Sequence, residues 1–163
     1  MGSTPWLDAR EMAAWRAFVE TVHDLNAALE SDLAAHDLTM GDYQVLVYLS
    51  DADDHAMRMC DLATRLQLSP SGLTRRLDGL VRSGLVERRP SDAPGADRRV
   101  MFAVLTEAGV RQLEAAAPTH VRSVRRHMID RMSSADLAAM TRIFRSIRSG
   151  LDSERAEGAR VAS

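Results

Sequence analysis

The sequence predicts a mainly α fold with a small β-wing: six helices, with a strand, loop and strand between the fourth and the fifth. Three observations predict it. Apolar residues recur at steps of three and four in six separate stretches, the mark of one-sided helices. Ser69-Pro70 and Gly84 bracket one of these stretches with a start and a stop signal. After that stop, Val100, Phe102 and Val104 alternate as a half-buried strand does, beyond a segment dense in turn formers. At 163 residues the chain has the length of one domain with helical extensions.

The first helix spans roughly residues 8–35, with Trp15, Phe18, Val19, Val22, Leu25, Leu29 and Leu33 on one face. Thr39, with Asp42 three positions on, resembles a capping box in which Asp replaces Glu. It starts a second helix through Val45, Leu46 and Leu49, which the acidic loop Asp51-Ala52-Asp53-Asp54 ends. Met59, Leu62, Ala63 and Leu66 form a third helix of about two turns. Ser69 then offers an N-cap, and Pro70 takes the first helical position, where its missing N–H costs nothing. Leu73, Leu77, Leu80 and Val81 line one stripe of the fourth helix.

Residues 85–89 read as a strand, Ser91 to Asp97 as a loop, and residues 100–104 as the returning strand. Thr106 caps a fifth helix through Val110, Leu113, Val121, Val124 and Met128, which Pro118 is expected to kink or break. Ser133 and Asp136 open a sixth helix with Leu137, Met140, Ile143, Phe144 and Ile147, ended by Gly150. Residues 152–163 are small and polar without period and read as a disordered tail. Two short helices joined by a tight turn, then strand, loop and strand, make a winged helix-turn-helix over 39–105. Its helix-turn-helix covers 59–84 and its wing 85–105. Residues 1–38 and 106–151 remain as a helical region.

Charge is distributed unevenly. The net charge is −2, but residues 1–56 sum to −9, residues 57–99 to +4 and residues 100–163 to +3. A basic middle beside an acidic start suits one face meeting phosphates. All 21 basic residues are Arg, whose planar fork suits phosphate and guanine edges. On the fourth helix, Arg75 and Ser71 fall almost opposite the buried stripe, with Thr74 and Asp78 on one flank and Gly72 and Gly79 on the other. An Arg among short side chains near a helix N-terminus suits entry into a major groove. The two glycines are either room for a close neighbour or simply tolerated, and both readings stay open.

Other classes find little support. The five His are scattered and Cys60 is the single Cys, so neither a metal site nor a disulfide is indicated. No Gly-x-Ser-x-Gly, phosphate loop or cofactor motif occurs, so no enzyme activity and no cofactor is expected. With no signal peptide and no apolar run of membrane length, the chain reads as cytoplasmic, without a membrane partner. A winged module that binds proteins instead of DNA remains the alternative.

The run Leu62-Ala63, Leu68-Ser69, Ser71, Thr74-Arg75, Asp78, Leu80, Gly84-Leu85-Val86 and Arg88, then Asp97-Arg98-Arg99 and Leu105-Thr106-Glu107-Ala108-Gly109, resembles the multiple antibiotic resistance regulator (MarR) family. The resemblance covers nearly the whole chain. It implies a homodimeric, double-stranded-DNA-binding transcriptional regulator, usually a repressor. Helix 69–84 would sit in the major groove, with Ser69, Ser71, Gly72, Thr74, Arg75 and Arg76 as candidate contacts. Asp97 and Arg99 match the family's wing Asp-x-Arg, whose Arg enters the minor groove, where a narrow groove concentrates negative potential. Arg89 and Arg98 would meet phosphates, and Arg88 would be structural, bonded to Asp78.

The terminal helices carry more apolar surface than a core of this size needs, with Leu7, Trp15 and Val19 at one end and Ile143, Phe144, Ile147 and Leu151 at the other. In the family such helices interlock across a two-fold axis, which implies a pseudo-palindromic operator. Many members release DNA when a small aromatic or phenolic ligand binds. Trp15, Arg16, His36 and Tyr43 are candidates to line such a site, though Trp15 and Tyr43 are more often core and His36 more often a helix-end residue. The peroxide-sensing branch carries its Cys near the first helix, where this chain has none, so Cys60 is expected to be passive.

Overall fold

The computed structural model describes residues 4–91 and 100–161. The chain divides into two compact units after Ser123. The first contains helices α1 (Ala9–Leu33), α2 (Met40–Ser50), α3 (Met59–Leu66) and α4 (Pro70–Arg82). It also holds strands β1 (Ala56–Arg58), β2 (Val86–Pro90) and β3 (Met101–Leu105) and most of α5 (Glu107–His127). The second is dominated by α6 (Ser134–Val161).

Caps set the helix starts. Asp8 accepts from the backbone N–H groups of Arg10 and Glu11, and the Glu11 carboxylate returns a bond to the Asp8 N–H, a full capping box. Thr39 and Asp42 make the box expected at α2, and Ser133 and Asp136 make its equivalent at α6. The Ser133 bonds hold the Asp136 carboxyl below its ordinary pKa. Ser69 caps α4 by accepting from Gly72 N–H at 3.1 Å. Between α3 and α4, Gln67 takes the left-handed conformation at φ 54°, and Leu68 N–H closes on Ala63 O. Thr106 accepts from Gly109 N–H, capping α5, while its hydroxyl donates to Gly84 O at 2.7 Å.

Three expectations need correction. The wing is part of a three-stranded antiparallel sheet in the order β1-β3-β2. Strand β1 has only three residues, too few to show a period, and exists because the free edge of β3 accepts it at Ala56↔Val104 and Arg58↔Phe102. β3 is therefore central, and Ala103, Val104 and Leu105 are all buried instead of alternating. α5 runs through Pro118 as one helix. Polar ties to Gln112 before Pro118 and to Thr119 and Ser123 after it hold both sides. Finally, α6 does not stop at Gly150 but continues to Val161, so 152–161 is helix and not the disordered tail that its composition suggests. An exposed glycine inside a helix costs only about 1 kcal/mol. Beyond it the Asp152–Arg155 pair at 3.8 Å, three positions apart, adds a small favourable term to the continued helix.

The core of the first unit is leucine-rich. Leu33, Val45, Leu46, Leu49, Leu62, Leu73, Leu77 and Val86 are fully enclosed and draw α1, α2, α3, α4 and the sheet together. A polar seam then fastens the end of α1 and the start of α2 to α5. Ser123 donates to Asp32 at 2.5 Å, His36 Nε2 bonds Thr119 Oγ1 at 2.9 Å, and Gln112 donates to His36 O at 2.6 Å. The His120 ring lies 4.5 Å from the Tyr43 ring, and its Nδ1 is buried with no hydrogen-bond partner among the described residues. Burial pushes the His120 imidazole down and the Tyr43 phenol up from their ordinary pKa values.

The packing at two glycines predicts opposite effects. A Cβ at Gly109 would collide with the backbone carbonyl of Leu85, whereas one at Gly150 would meet nothing. Gly109→Ala should thus destabilise by about 1–3 kcal/mol and Gly150→Ala stabilise by up to about 1 kcal/mol, read as opposite shifts in urea midpoint. For His120 the folded pKa lies below the unfolded value of about 6.5, so the unfolded chain takes the proton first. Its contribution is complete above that pH and is lost as pH falls toward the folded value. Wild-type Tm should fall more between about pH 7 and 5.5 than that of His120→Gln, and parallel curves would remove His120 as a cause.

Candidate nucleic-acid interface

Helix α4 presents two faces of opposite character. Leu73, Leu77 and Leu80 are buried, while Ser71, Thr74, Arg75, Gly79 and Arg82 are exposed on the other side. The short side chains of the first turn bond to one another and to the backbone. Ser69 Oγ and Ser71 Oγ lie 3.2 Å apart, and the Thr74 hydroxyl donates back to Pro70 O at 3.0 Å. Arg75, Arg82 and Arg89 are exposed and form no ion pair among the described residues. Such solvated guanidinium groups are available to an anion at little cost.

Beside this face, Asp42, Leu68, Gly72, Arg75, Arg76, Gly79 and Arg82 line an open groove of about 460 Å³. Three guanidinium groups against one carboxylate make it electropositive. Gly72 and Gly79 contribute no side chain to its floor. Arg82 is an addition to the residues expected from the sequence. It follows Arg75 by seven positions on the same face, and that helical spacing is the signal that could have found it. Arg76 differs from its neighbours: its guanidinium reaches across to Thr39 at 3.1 Å.

The strand β2 is tied to α4 by one side chain. Arg88 Nη2 donates to both Asp78 Oδ1 and Thr74 O, each at 2.8 Å, the structural role expected of Arg88. Arg89, next along β2, points its charge to solvent. Asp97, Arg98 and Arg99 lie outside the described residues.

The four residues suggested for a ligand site do not come together within one chain. His36 and Tyr43 both meet α5, through Thr119 and His120. Trp15 and Arg16 are exposed near the other end of α1, Trp15 beside Phe18 at 6.0 Å between ring centres. At 1.5 Å per residue, Trp15 stands roughly 27 Å along the helix axis from Leu33. Gln112, Thr119 and His120 join this seam without any signal in the sequence. Their partners are 76 or more residues away in the chain, and no local pattern reports such a pairing.

The suggested interface residues are about half exposed in the single chain. Leu7, Trp15 and Val19 are 49%, 55% and 43% exposed, and Ile143, Phe144, Ile147 and Leu151 lie between 43% and 53%. No helix among the described residues is long and apolar enough to cross a membrane.

Comparison with known proteins agrees with this architecture. A model of the MarR family matches residues 36–97. The HTH-type transcriptional repressor YetL of Bacillus subtilis (strain 168) is 30% identical over 118 residues, 72% of this chain and 69% of that protein. The crystal structure of AbsC, a MarR family transcriptional regulator from Streptomyces coelicolor, aligns with a TM-score of 0.86 and 40% identity, covering 91% of this chain and 99% of AbsC. Sco3205, a MarR family transcriptional regulator of the same organism solved in complex with DNA, also aligns at 0.86, with 29% identity and 93% of each chain covered. With that identity carried over that much of both sequences, the chain belongs to the MarR family of winged-helix transcriptional regulators.

Proposed function

We propose that the chain is a homodimeric repressor that binds a pseudo-palindromic DNA operator, with α4 in the major groove and the loop between β2 and β3 at the adjacent minor groove. The observation that carries this reading is the exposed face of α4. Arg75 and Arg82 stand there without ion-pair partners among the described residues, beside an electropositive groove, on a helix held from behind by buried leucines. Sco3205, with its bound DNA, supports the DNA partner, and YetL, a repressor, supports the direction of control.

The dimer is supported by α1. Its residues from Ala9 to Asp24 are nearly all exposed in the single chain, although Trp15, Val19 and Val22 make an apolar stripe there. A helix with such an uncovered apolar face needs a partner surface, and a second copy supplies one. Two copies would then set two α4 helices about 34–36 Å apart, one turn of duplex.

Selection from random duplex DNA should return a sequence with inverted half-sites, and sedimentation of the free protein should give twice the chain mass. Arg75→Ala should cost about 1–3 kcal/mol of operator binding and relax the choice of base, while Arg89→Ala should weaken all sequences alike and flatten the salt dependence by about one phosphate contact. Binding that is indifferent to salt would instead favour a protein-interaction module.

For release, we assign a small aromatic or phenolic anion to the seam where His36 and Tyr43 meet α5, rather than to Trp15 and Arg16. The seam joins the end of α1 and the start of α2 to α5, and α2 packs against α4, so a ligand there would bear on α4 as well. Phenolic acids or urate should raise the thermal midpoint of wild type and not that of Tyr43→Ala; no shift with any such anion would remove the effector.

A further inference from the structure

Of the three cations beside the groove, Arg76 alone is bonded to its own chain, with its side chain 35% exposed. Its Nη1 donates to Thr39 Oγ1 at 3.1 Å and lies 3.9 Å from the Asp42 carboxylate. Thr39 and Asp42 are the two members of the capping box that starts α2. The guanidinium lies over Gly41, between them in sequence, where any Cβ would occupy its space. Only a residue without a side chain can sit beneath it.

That first turn of α2 is also where two further helices of the unit, α1 and α5, meet it. Met40 N–H donates to the Glu30 carboxylate of α1 at 2.7 Å, and the Tyr43 ring packs on His120 of α5. Over residues 39–43 the chain therefore touches α1, α5 and, through Arg76, α4. A cation at a helix N-terminus opposes the helix dipole. Here the Asp42 carboxylate offsets it, and the same carboxylate also accepts from the Thr39 N–H and hydroxyl. The guanidinium thus has a built seat, and leaving it for a phosphate would forfeit that seat.

We propose that Arg76 is a positioning residue: it pins the recognition helix α4 to the first turn of α2, with Gly41 as its seat, and does not itself meet DNA. The tilt of α4 is then set by α1 and α5 through residues 39–43, and phosphate contact falls to Arg75 and Arg82. The binding part of this inference rests on the DNA-binding reading; the pin itself does not.

Two readouts separate the pin from a phosphate contact. In the first, Arg76→Ala should lose about tenfold in operator affinity while the slope of log affinity against log salt stays at the wild-type value. A slope shallower by about one contact would mean that Arg76 touches phosphate, and would overturn the proposal. Gly41→Ala, which evicts the guanidinium, should reproduce the loss, and the double variant should be no weaker than Arg76→Ala. Additive losses, or wild-type affinity in Gly41→Ala, would also overturn it. The second readout needs no DNA: amide hydrogen exchange along α4 and residues 39–43 should quicken by about tenfold in both single variants. Unchanged exchange in folded protein would sink the pin whatever the affinities. If wild type binds no duplex at all, the function proposed above fails while the exchange measurement still decides this one.

Discussion

Leu73, Leu77 and Leu80 hold α4 from one side only, and much of the first unit can be understood as the means of doing so. A helix of 13 residues is marginal in water by itself, so its stability must come from the buried stripe. α2, α3 and β2 pack against α4, and Leu46, Leu62 and Val86, all enclosed, belong to the same buried cluster as its stripe. The opposite face can then carry Arg, Ser, Thr and Gly, because nothing in the fold asks it for packing. Truncating one of these leucines would cost about 2–5 kcal/mol, a large part of the total stability of a domain of this size.

The polar restraints add direction rather than energy. Arg88 reaches Asp78 and the Thr74 carbonyl, but the pair is a quarter to a half exposed, and such a bridge contributes at most about 1 kcal/mol. Its geometric effect is larger, since it ties β2 to the middle of α4 and so relates the wing to the helix. Arg76 acts at the other flank, on α2. Arg75 lies on the outward face between these two ties and belongs to neither. Adjacent arginines on one helix thus have different tasks because successive residues are turned by about 100° around its axis.

The apolar surface left on α1 and α6 is a second constraint. Trp15, Val19 and Val22 on α1, and Ile143 and Ile147 on α6, stand 38% to 55% exposed, and apolar side chains grouped in this way mark an interaction surface. The first unit does not need them, since its core closes without them. Their burial by a second copy would make folding of the terminal helices and association one event, so that apparent stability would depend on protein concentration.

Caps, stops and helical periods are local, set by bonds between residues three or four apart. Thr39–Asp42, Ser69-Pro70, Ser133–Asp136 and the leucine stripe of α4 are therefore legible in the amino-acid sequence alone, and the outward face carrying Arg75 follows from the same period. β1, the run of α5 through Pro118 and the extension of α6 past Gly150 are not, because each depends on an edge, a seam or a helix already in place that offsets a poor local signal. The seam of His36, Thr119, Gln112 and His120, and the seat of Arg76 over Gly41, join residues 35 to 83 positions apart. Sequence spacing carries no record of such pairs; only the packed leucines bring them within bonding distance.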